Sequence, residues 1–209
     1  MASGLMPGSG TGDRRVLRRS LLARRRALPA DEWLQHSQVI RGLLQESLPR
    51  LAALRVGFCW PHDNEPDLRP LIAHWQRQGD PRFMALLPVV LASDTGLAFR
   101  AWSPGLAMTT DRYGIPVPAS GELVLPQALL IPLVGFDAAG FRLGYGGGYF
   151  DRTLASLRPR PLAIGVGFEL SRLDSVLPEP HDQPLDLIVT EAGVCRCPAT
   201  ITQGPPEFT

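Results

Sequence analysis

The hydrophobic positions of this chain recur with two periods, one typical of helices and one typical of buried strands. From Asp13 to Leu28 leucines recur at helical spacing, and Pro29 separates this segment from a second helix that extends to about Ser47. A third helical pattern covers residues 66–79. Short apolar runs bounded by turn residues occupy much of the remaining chain, so the pattern predicts helices and strands in alternation.

Six of these apolar runs are predicted as strands, at residues 55–60, 82–90, 97–102, 128–136, 162–168 and 185–190. The first two runs flank the helix at 66–79 and form a βαβ unit with it. Strands that alternate with helices favour a mostly parallel sheet covered on both faces. We therefore expect an α/β fold, a three-layer α/β/α sandwich with a mostly parallel central sheet.

The length of 209 residues suits one domain. We expect residues 1–12 to form a disordered N-terminal tail, 13–194 a single domain and 195–209 a C-terminal tail. The net charge of +1 gives no global signal for nucleic acid or membrane, and all 21 basic residues are arginine, with no lysine. Three cysteines without a CxxC spacing predict neither zinc nor disulfides. The expected compartment is the cytoplasm.

A glycine-rich loop, Gly144-Tyr-Gly-Gly-Gly148, lies between the strand at 128–136 and a predicted helix. Glycines before a helix let an anion approach the unpaired amides at the helix start, which predicts a phosphate site. The spacing matches neither the P-loop nor GxGxxG, and a simple turn into the helix is the alternative. In that helix Phe150, Leu154 and Leu157 share one face, which leaves Tyr149 on another.

Asp151 lies in the first turn of the same helix. A carboxylate beside a phosphate site is suited to bind Mg²⁺, which takes one or two carboxylates together with phosphate oxygens and water. The alternative is that Asp151 only compensates the positive end of the helix dipole.

Four segments of the chain resemble the 5-formyltetrahydrofolate cyclo-ligase family. The longest runs from Pro132 to Asp137 and continues as Gly140-Phe-Arg-Leu-Gly-Tyr-Gly-Gly-Gly-Tyr-Phe-Asp-Arg152. The others are Ala-Arg-Arg-Arg-Ala-Leu-Pro-Ala-Asp-Glu-Trp at 23–33, Phe-Cys-Trp-Pro-His-Asp-Asn-Glu-Pro-Asp at 58–67, and the segment 180–191. The likeness extends from about Arg14 to Gly193.

The resemblance implies an ATP- and Mg²⁺-dependent conversion of 5-formyltetrahydrofolate to 5,10-methenyltetrahydrofolate, with release of ADP and phosphate. ATP would phosphorylate the formyl oxygen, and the folate N10 would then attack the activated carbon. The expected partners are therefore ATP and 5-formyltetrahydrofolate, without nucleic acid or membrane. A monomer or weak homodimer is expected.

The resemblance also assigns roles to individual residues. For ATP binding it implies Arg14, Arg18, Arg142, Leu143, Gly144, Tyr145, Gly146, Gly147, Gly148, Tyr149 and Phe150. For the folate substrate it implies Glu65, Tyr145 and Tyr149, with Tyr149 and Arg142 as catalytic residues. Trp60, at the same strand end as Glu65, is a candidate apolar wall of the folate pocket, and a core residue is the alternative. Asp151 and Asp182 are the expected Mg²⁺ ligands, and the alternative for Asp182 is a polar turn before the last strand. Val117 departs from the family, because a glutamate is usual at this position.

The first helix carries several arginines, and its geometry separates them into two groups. At about 100° per residue, Arg14, Arg18 and Arg25 lie beside the leucine face. The remaining arginines, which we expect to be solvated, are Arg15, Arg19, Arg24 and Arg26. A solvated basic helix that binds nucleic acid is the alternative for the whole helix. Two other functions remain open, a non-catalytic nucleotide- or RNA-binding module and an ATP-dependent ligase or kinase for another acceptor.

Overall fold

A seven-stranded sheet forms the centre of the computed structural model, which describes residues 10–198. Its strands are β1 (Arg55–Gly57), β2 (Met84–Val89), β3 (Ala98–Ala101), β6 (Ala128–Pro132), β9 (Leu162–Val166), β10 (Leu187–Thr190) and β11 (Gly193–Arg196). Two small antiparallel pairs complete the strands, β4 (Met108–Thr110) with β5 (Pro116–Pro118), and β7 (Gly135–Phe136) with β8 (Arg142–Leu143).

The strand order is β11-β10-β9-β6-β1-β2-β3. All neighbours from β10 to β2 pair in parallel, and only the two edge strands, β3 and β11, are antiparallel to their neighbours. The predicted mostly parallel sheet is confirmed. In such sheets ligands bind beyond the carboxyl ends of the strands, where the connecting loops converge.

The helices are α1 (Gly10–Arg26), α2 (Ala30–Ser47), α3 (Arg69–Gln78) and α4 (Tyr149–Ser156), with short 3₁₀ turns at Pro49–Ala53 and Glu169–Ser171. The helices α2 and α3 pack on one face of the sheet, and α4 packs on the other. This arrangement gives the expected three layers. No helix within residues 10–198 is long and apolar enough to cross a membrane.

Strand β6 shows how the sequence fills both layers. Ala128 and Leu130 pack towards α2 and α3, whereas Leu129 and Ile131 pack towards α4. Successive side chains of a strand point to opposite faces, so a strand covered on both faces is apolar at every position. That is why the strand has a continuous apolar sequence.

The predicted strand at 128–136 is wrong in its second half, because β6 ends at Pro132 and the chain leaves the sheet. Gly135 and Phe136 pair with β8 instead. The carboxylate of Asp137 stabilises this turn, since it accepts hydrogen bonds from the main-chain N–H groups of Ala139, Phe141 and Val176. The turn brings β8, and the glycine loop after it, back towards α1.

Both expected domain boundaries need correction. The first helix begins at Gly10, so residues 10–12 belong to α1 and not to a tail, and residues 1–9 lie outside the described part. At the other end, β11 extends the sheet to Arg196, and Cys197 is buried in the core beneath α4. Residues 199–209 of the expected C-terminal tail are also outside the described part. Neither segment 10–12 nor segment 195–197 carries an apolar repeat long enough to reveal its element.

Gly96 packs directly against the main chain of α4. A Cβ added at Gly96 would lie 2.9 Å from the Cα and 3.0 Å from the main-chain N of Thr153. A helix backbone yields less easily than the end of a side chain. We therefore expect Gly96→Ala to lower the free energy of unfolding by about 1–3 kcal/mol in urea denaturation.

Gly42 in α2 is the matched control for this substitution. No atom lies within 4 Å of a Cβ added there. Because alanine favours a helix interior over glycine, Gly42→Ala should raise the free energy of unfolding by about 0.5–1 kcal/mol. The same destabilisation in both variants would show that the loop at Gly96 does not pack on α4 as described.

Candidate active site

The glycine loop, residues 144–148, joins β8 to α4 and lies against α1. Gly146 has φ 101° and Gly148 has φ 64°, which are left-handed conformations that favour glycine. The Nε of Arg18 donates a hydrogen bond of 2.6 Å to the carbonyl oxygen of Gly144. No side chain caps the start of α4, so the first-turn amides keep the polarity that attracts anions.

Arg18 is a cation without an ionic partner among residues 13–198. Burial and the neighbouring charge of Arg14 both lower the pKa of Arg18. Two guanidinium groups held close together beside an uncapped helix start create a positive potential. An anion such as a phosphate group would relieve the repulsion between them.

The buried Arg142 and the half-buried Asp151 form an ion pair beneath the loop. The Arg142 Nη2 donates to the Asp151 Oδ1 at 2.9 Å, and its Nη1 donates to the carbonyl oxygen of Gln183 at 2.7 Å. The same Asp151 oxygen also accepts the main-chain N–H of Gln183 at 2.9 Å. Burial lowers the pKa of Arg142, and the charges of Asp151 and Asp182 oppose this effect.

Arg14 and Asp182 form the second ion pair at this site. The Arg14 Nη1 lies 2.6 Å from the Asp182 Oδ2, which also accepts the main-chain N–H of Glu179. Burial raises the pKa of Asp182, but the Arg14 and Glu179 hydrogen bonds outweigh it and leave the pKa below its usual value. Both expected metal ligands therefore lie within electrostatic reach of Arg142, each paired with an arginine.

Asp151 and Asp182 differ in how freely their carboxylate oxygens could bind a magnesium ion. The Oδ2 of Asp151 accepts no hydrogen bond from any residue within 13–198, so one oxygen of this carboxylate can take a ligand. Both oxygens of Asp182 are hydrogen-bonded to Arg14 or to main chain. The described residues contain no group of three or more His, Cys, Asp or Glu side chains that could hold a metal. One carboxylate suffices when phosphate oxygens and water complete the coordination.

On the other side of the loop, Tyr145 connects the glycines to Glu65. The Tyr145 hydroxyl donates to the Glu65 Oε1 at 2.7 Å, and the other carboxylate oxygen accepts the main-chain N–H of His62. Burial raises the pKa of Glu65, opposed by the Arg25 charge and by both hydrogen bonds. Arg25 lies in the last turn of α1, is 1% exposed, and its Nη2 is 3.9 Å from the Glu65 Oε1.

Tyr149 lies at the outer edge of the loop with its hydroxyl towards the β4–β5 hairpin. Arg112 from that hairpin donates to the Tyr149 hydroxyl, and the Tyr113 hydroxyl is 3.5 Å away. Arg152 donates from its Nη2 to the carbonyl oxygens of Gly147 and Ser93. The hairpin and the loop around Ser93 therefore flank the glycine loop with two further arginines.

The remaining predicted site residues differ in exposure. Trp60 follows β1 and is half-buried, with its ring 6.1 Å from that of Trp102 and 4.9 Å from the Arg69 guanidinium. The Leu143 side chain is completely buried in the cluster beneath α1, so only its main chain can contact a nucleotide. Phe150 is half-buried and packs into the core beneath α4. The structure thus brings the loop, the two ion pairs and Glu65 together, with Trp60 on the Glu65 segment.

Two residues of the site received no role from the sequence. Arg25 has a signal in the sequence, because helical spacing places it beside the leucine face and a charge there requires a partner. Arg112 has none, since its place depends on how the β4–β5 hairpin folds over the loop. The four arginines predicted to be solvated, Arg15, Arg19, Arg24 and Arg26, are all exposed.

The comparisons with known proteins all point to one family. The sequence profile described as the 5-formyltetrahydrofolate cyclo-ligase family matches residues 10–191. A relative named 5-formyltetrahydrofolate cyclo-ligase from Escherichia coli K12 is 30% identical over 177 residues, which cover 82% of this chain and 96% of the relative. One of the same name from Mycoplasma pneumoniae is 29% identical over 180 residues, or 86% of this chain and 99% of the relative.

Solved structures with the same fold carry a related name. The NMR structure of the Aquifex aeolicus 5,10-methenyltetrahydrofolate synthetase matches with a TM-score of 0.76 and 28% identity, over 88% of this chain and 93% of that one. The Mycoplasma pneumoniae 5,10-methenyltetrahydrofolate synthetase matches with a TM-score of 0.68 and 26% identity, over 86% and 99%. The match therefore includes nearly all of the fold in both directions.

Proposed function

The chain belongs to the 5-formyltetrahydrofolate cyclo-ligase family, and we propose that it converts 5-formyltetrahydrofolate to 5,10-methenyltetrahydrofolate with consumption of ATP. The reaction would release ADP and phosphate. ATP and the folate are the substrates of this proposal, and Mg²⁺ accompanies the nucleotide.

One observation carries the proposal, namely that a single loop contacts both halves of the site. Its first residue, Gly144, accepts a hydrogen bond from Arg18, a cation with no ion pair to residues 13–198, and the next residue, Tyr145, is hydrogen-bonded to the buried carboxylate of Glu65. Cations suit a triphosphate, whereas a buried carboxylate suits the amino and ring N–H donors of a pterin. A loop only five residues long, 144–148, would thus lie between donor and acceptor.

The chemistry explains why the two substrates must meet. A formamide carbonyl is a poor electrophile and hydroxide is a poor leaving group, so the formyl oxygen has to become a phosphate ester before N10 can replace it. In such a transfer the protein mainly aligns donor and acceptor and neutralises developing charge. Arg18 and Arg14 would bind the triphosphate, and Arg142 would neutralise phosphate charge from below the loop. Tyr149, whose hydroxyl accepts a hydrogen bond from Arg112, would contact the reacting oxygen.

Mg²⁺, when bound with ATP, would neutralise charge on the phosphate oxygens. Asp151 would hold the ion through its Oδ2, while its Oδ1 stays paired with Arg142. Asp182 would contribute only after Arg14 turns from it to the phosphates. Binding of the nucleotide would therefore break the Arg14–Asp182 ion pair and free this carboxylate.

The proposal is tested by incubating the purified chain with 5-formyltetrahydrofolate, ATP and Mg²⁺ and following the absorbance of the methenyl product. We expect product only when ATP is present, with one ADP formed for each methenyl group. Folded protein that forms no product with all three components would overturn the proposal. ADP formation without methenyl product would favour an ATP-dependent enzyme for another acceptor.

Glu65→Gln is expected to weaken binding of the folate substrate and to leave ATP binding unchanged. The charge that would accept the pterin N–H groups is lost, while the amide oxygen can still accept from Tyr145. Hydrogen bonds to charged groups contribute about 1.5–3 kcal/mol, so the KM for the folate should rise roughly 10- to 100-fold with the KM for ATP unchanged. The exposed Glu32→Gln is the matched control and should leave both constants at wild-type values. An equal rise in both constants for Glu65→Gln would count against a pterin-specific role.

A further inference from the structure

Arg25 connects three segments of the site from a completely buried position. Its Nε donates to the carbonyl oxygen of Asp63 at 2.8 Å, its Nη1 donates to that of Leu133 at 2.9 Å, and its Nη2 donates to the Tyr145 hydroxyl. The three acceptors belong to the loop after β1, the residue that follows β6 and the glycine loop. Only the planar fork of an arginine can serve three such acceptors at fixed angles.

The hydrogen bonds around Arg25 have only one possible direction. Arginine has no acceptor, so the Tyr145 hydroxyl must accept from it and must direct its own proton to the Glu65 Oε1. The Glu65 carboxylate accepts this hydrogen bond, which favours its ionised form. The chain of donors therefore orders Arg25, Tyr145 and Glu65 in one sequence and leaves Glu65 as its anionic end.

Arg25 has one carboxylate partner within 4 Å among the described residues, namely Glu65. A buried guanidinium requires a counter-charge, and the Glu65 Oε1, 3.9 Å from Nη2, is the carboxylate oxygen within reach. The carboxylate of Asp63 is engaged by Arg26 instead. Apolar residues of similar size often stabilise a core as well as a buried ion pair does, so stability alone does not account for this one.

We propose that Arg25 is a positioning residue that holds Glu65 ionised and oriented for the N–H donors of the acceptor substrate. It acts through two routes, its charge and the Tyr145 hydroxyl. The identity of the acceptor as a reduced pterin rests on the proposed function. The ordering of Glu65 by Arg25 does not, because it is a property of the protein without ligand.

The titratable and charged groups that face the Glu65 carboxylate come from three segments of the described chain. Arg25 approaches from α1, Tyr145 from the glycine loop, and Cys59 and His62 from the segment after β1. Burial first, and then the Glu65 charge, raise the pKa of the Cys59 thiol, while the His62 amide and ring lower the pKa of Glu65. Among the forces that lower the pKa of Glu65, the charge of Arg25 is the largest. Its removal should therefore raise this pKa further.

The test compares Arg25→Met with Arg25→Lys, and uses the exposed neighbour Arg24→Met as a control for lost charge on α1. The pKa of the Glu65 carboxyl is measured by carbon NMR without ligand, with the resonance assigned from Glu65→Gln. Binding of 5-formyltetrahydrofolate is measured by calorimetry between about pH 5.5 and 8.5. Wild-type protein and Arg24→Met should behave alike in both measurements.

For Arg25→Met we expect the pKa of Glu65 to rise by about one unit or more, and folate affinity to fall at least about tenfold at the acidic end, with less loss at the alkaline end. Arg25→Lys should restore the pKa because it restores the charge. An unchanged Glu65 pKa in Arg25→Met would overturn the proposal. A uniform affinity loss at every pH would also overturn it, because that is the effect of a structural role.

If Arg25→Met does not fold, Arg25→Gln decides the question, because it removes the charge and keeps an N–H donor for the neighbouring acceptors. A raised Glu65 pKa in this variant supports the proposal, and a wild-type pKa refutes it. A wild-type protein that fails to bind 5-formyltetrahydrofolate would refute the proposed function alone. The carboxyl titration would then still report on Arg25.

Discussion

Asp151→Asn is expected to lower kcat at least about 100-fold, because charge stabilisation by a metal ion contributes several kcal/mol to a phosphoryl transfer. The substitution removes the anionic Oδ2, which accepts no hydrogen bond from residues 13–198. It keeps an oxygen that can accept hydrogen bonds from Arg142 and from the Gln183 main chain. The fold should therefore survive. The Mg²⁺ concentration for half-maximal activity should rise along with the loss of turnover.

Asp174→Asn is the matched control for this prediction, because Asp174 is exposed and its substitution removes the same charge. Its kcat and Mg²⁺ dependence should equal those of the wild type. A wild-type Mg²⁺ dependence in Asp151→Asn would refute the metal assignment. Loss of the cooperative unfolding transition in that variant would instead mean that Asp151 stabilises the fold as the counter-ion of Arg142.

Arg18→Met is expected to raise the KM for ATP by roughly 10- to 100-fold, because a charge-assisted hydrogen bond to a phosphate contributes about 1.5–3 kcal/mol. Arg18 lies against the glycine loop, and burial and the charge of Arg14 lower its pKa. A bound phosphate would therefore stabilise the charged form of Arg18. The KM for the folate should stay within about threefold of the wild-type value, since Glu65 lies on the other side of Tyr145.

Arg19→Met tests whether position or charge matters on α1. Arg19 adjoins Arg18 in sequence but is exposed, so its substitution changes the net charge equally without reaching the loop. We expect a KM for ATP close to that of the wild type. Equal effects of Arg18→Met and Arg19→Met would mean that the helix attracts ATP only through its overall charge.

The parts of the fold that depend on periodicity could be predicted from the sequence. A buried parallel strand such as 162–166 is apolar at every position, and the helix at 69–78 is amphipathic, so both were located within a few residues. The short pairs β4–β5 and β7–β8 could not be found this way. They contain two or three residues a strand, which is too few to show alternation, and their pairing depends on distant hydrogen bonds such as those of Asp137.

The candidate site shows the same division. The glycine loop and Asp151 are contiguous in sequence, and the spacing on α1 indicated which arginines face inward. What the sequence could not provide is the pairing of charges. The sequence does not show that Asp182 pairs with Arg14, and helical spacing places Arg25 on the buried face without identifying its partner Glu65, 40 residues away. Contacts between distant segments require the fold, and a single sequence does not contain them.

Transfer of the terminal phosphoryl group of ATP to the formyl oxygen of the folate is tested most directly by an isotope label. 5-Formyltetrahydrofolate with ¹⁸O in the formyl group is converted with unlabelled ATP in unlabelled water, and the inorganic phosphate is analysed by mass spectrometry. If the formyl oxygen becomes a phosphate ester that leaves on ring closure, each phosphate carries one ¹⁸O. Methenyl product accompanied by unlabelled phosphate would contradict this account.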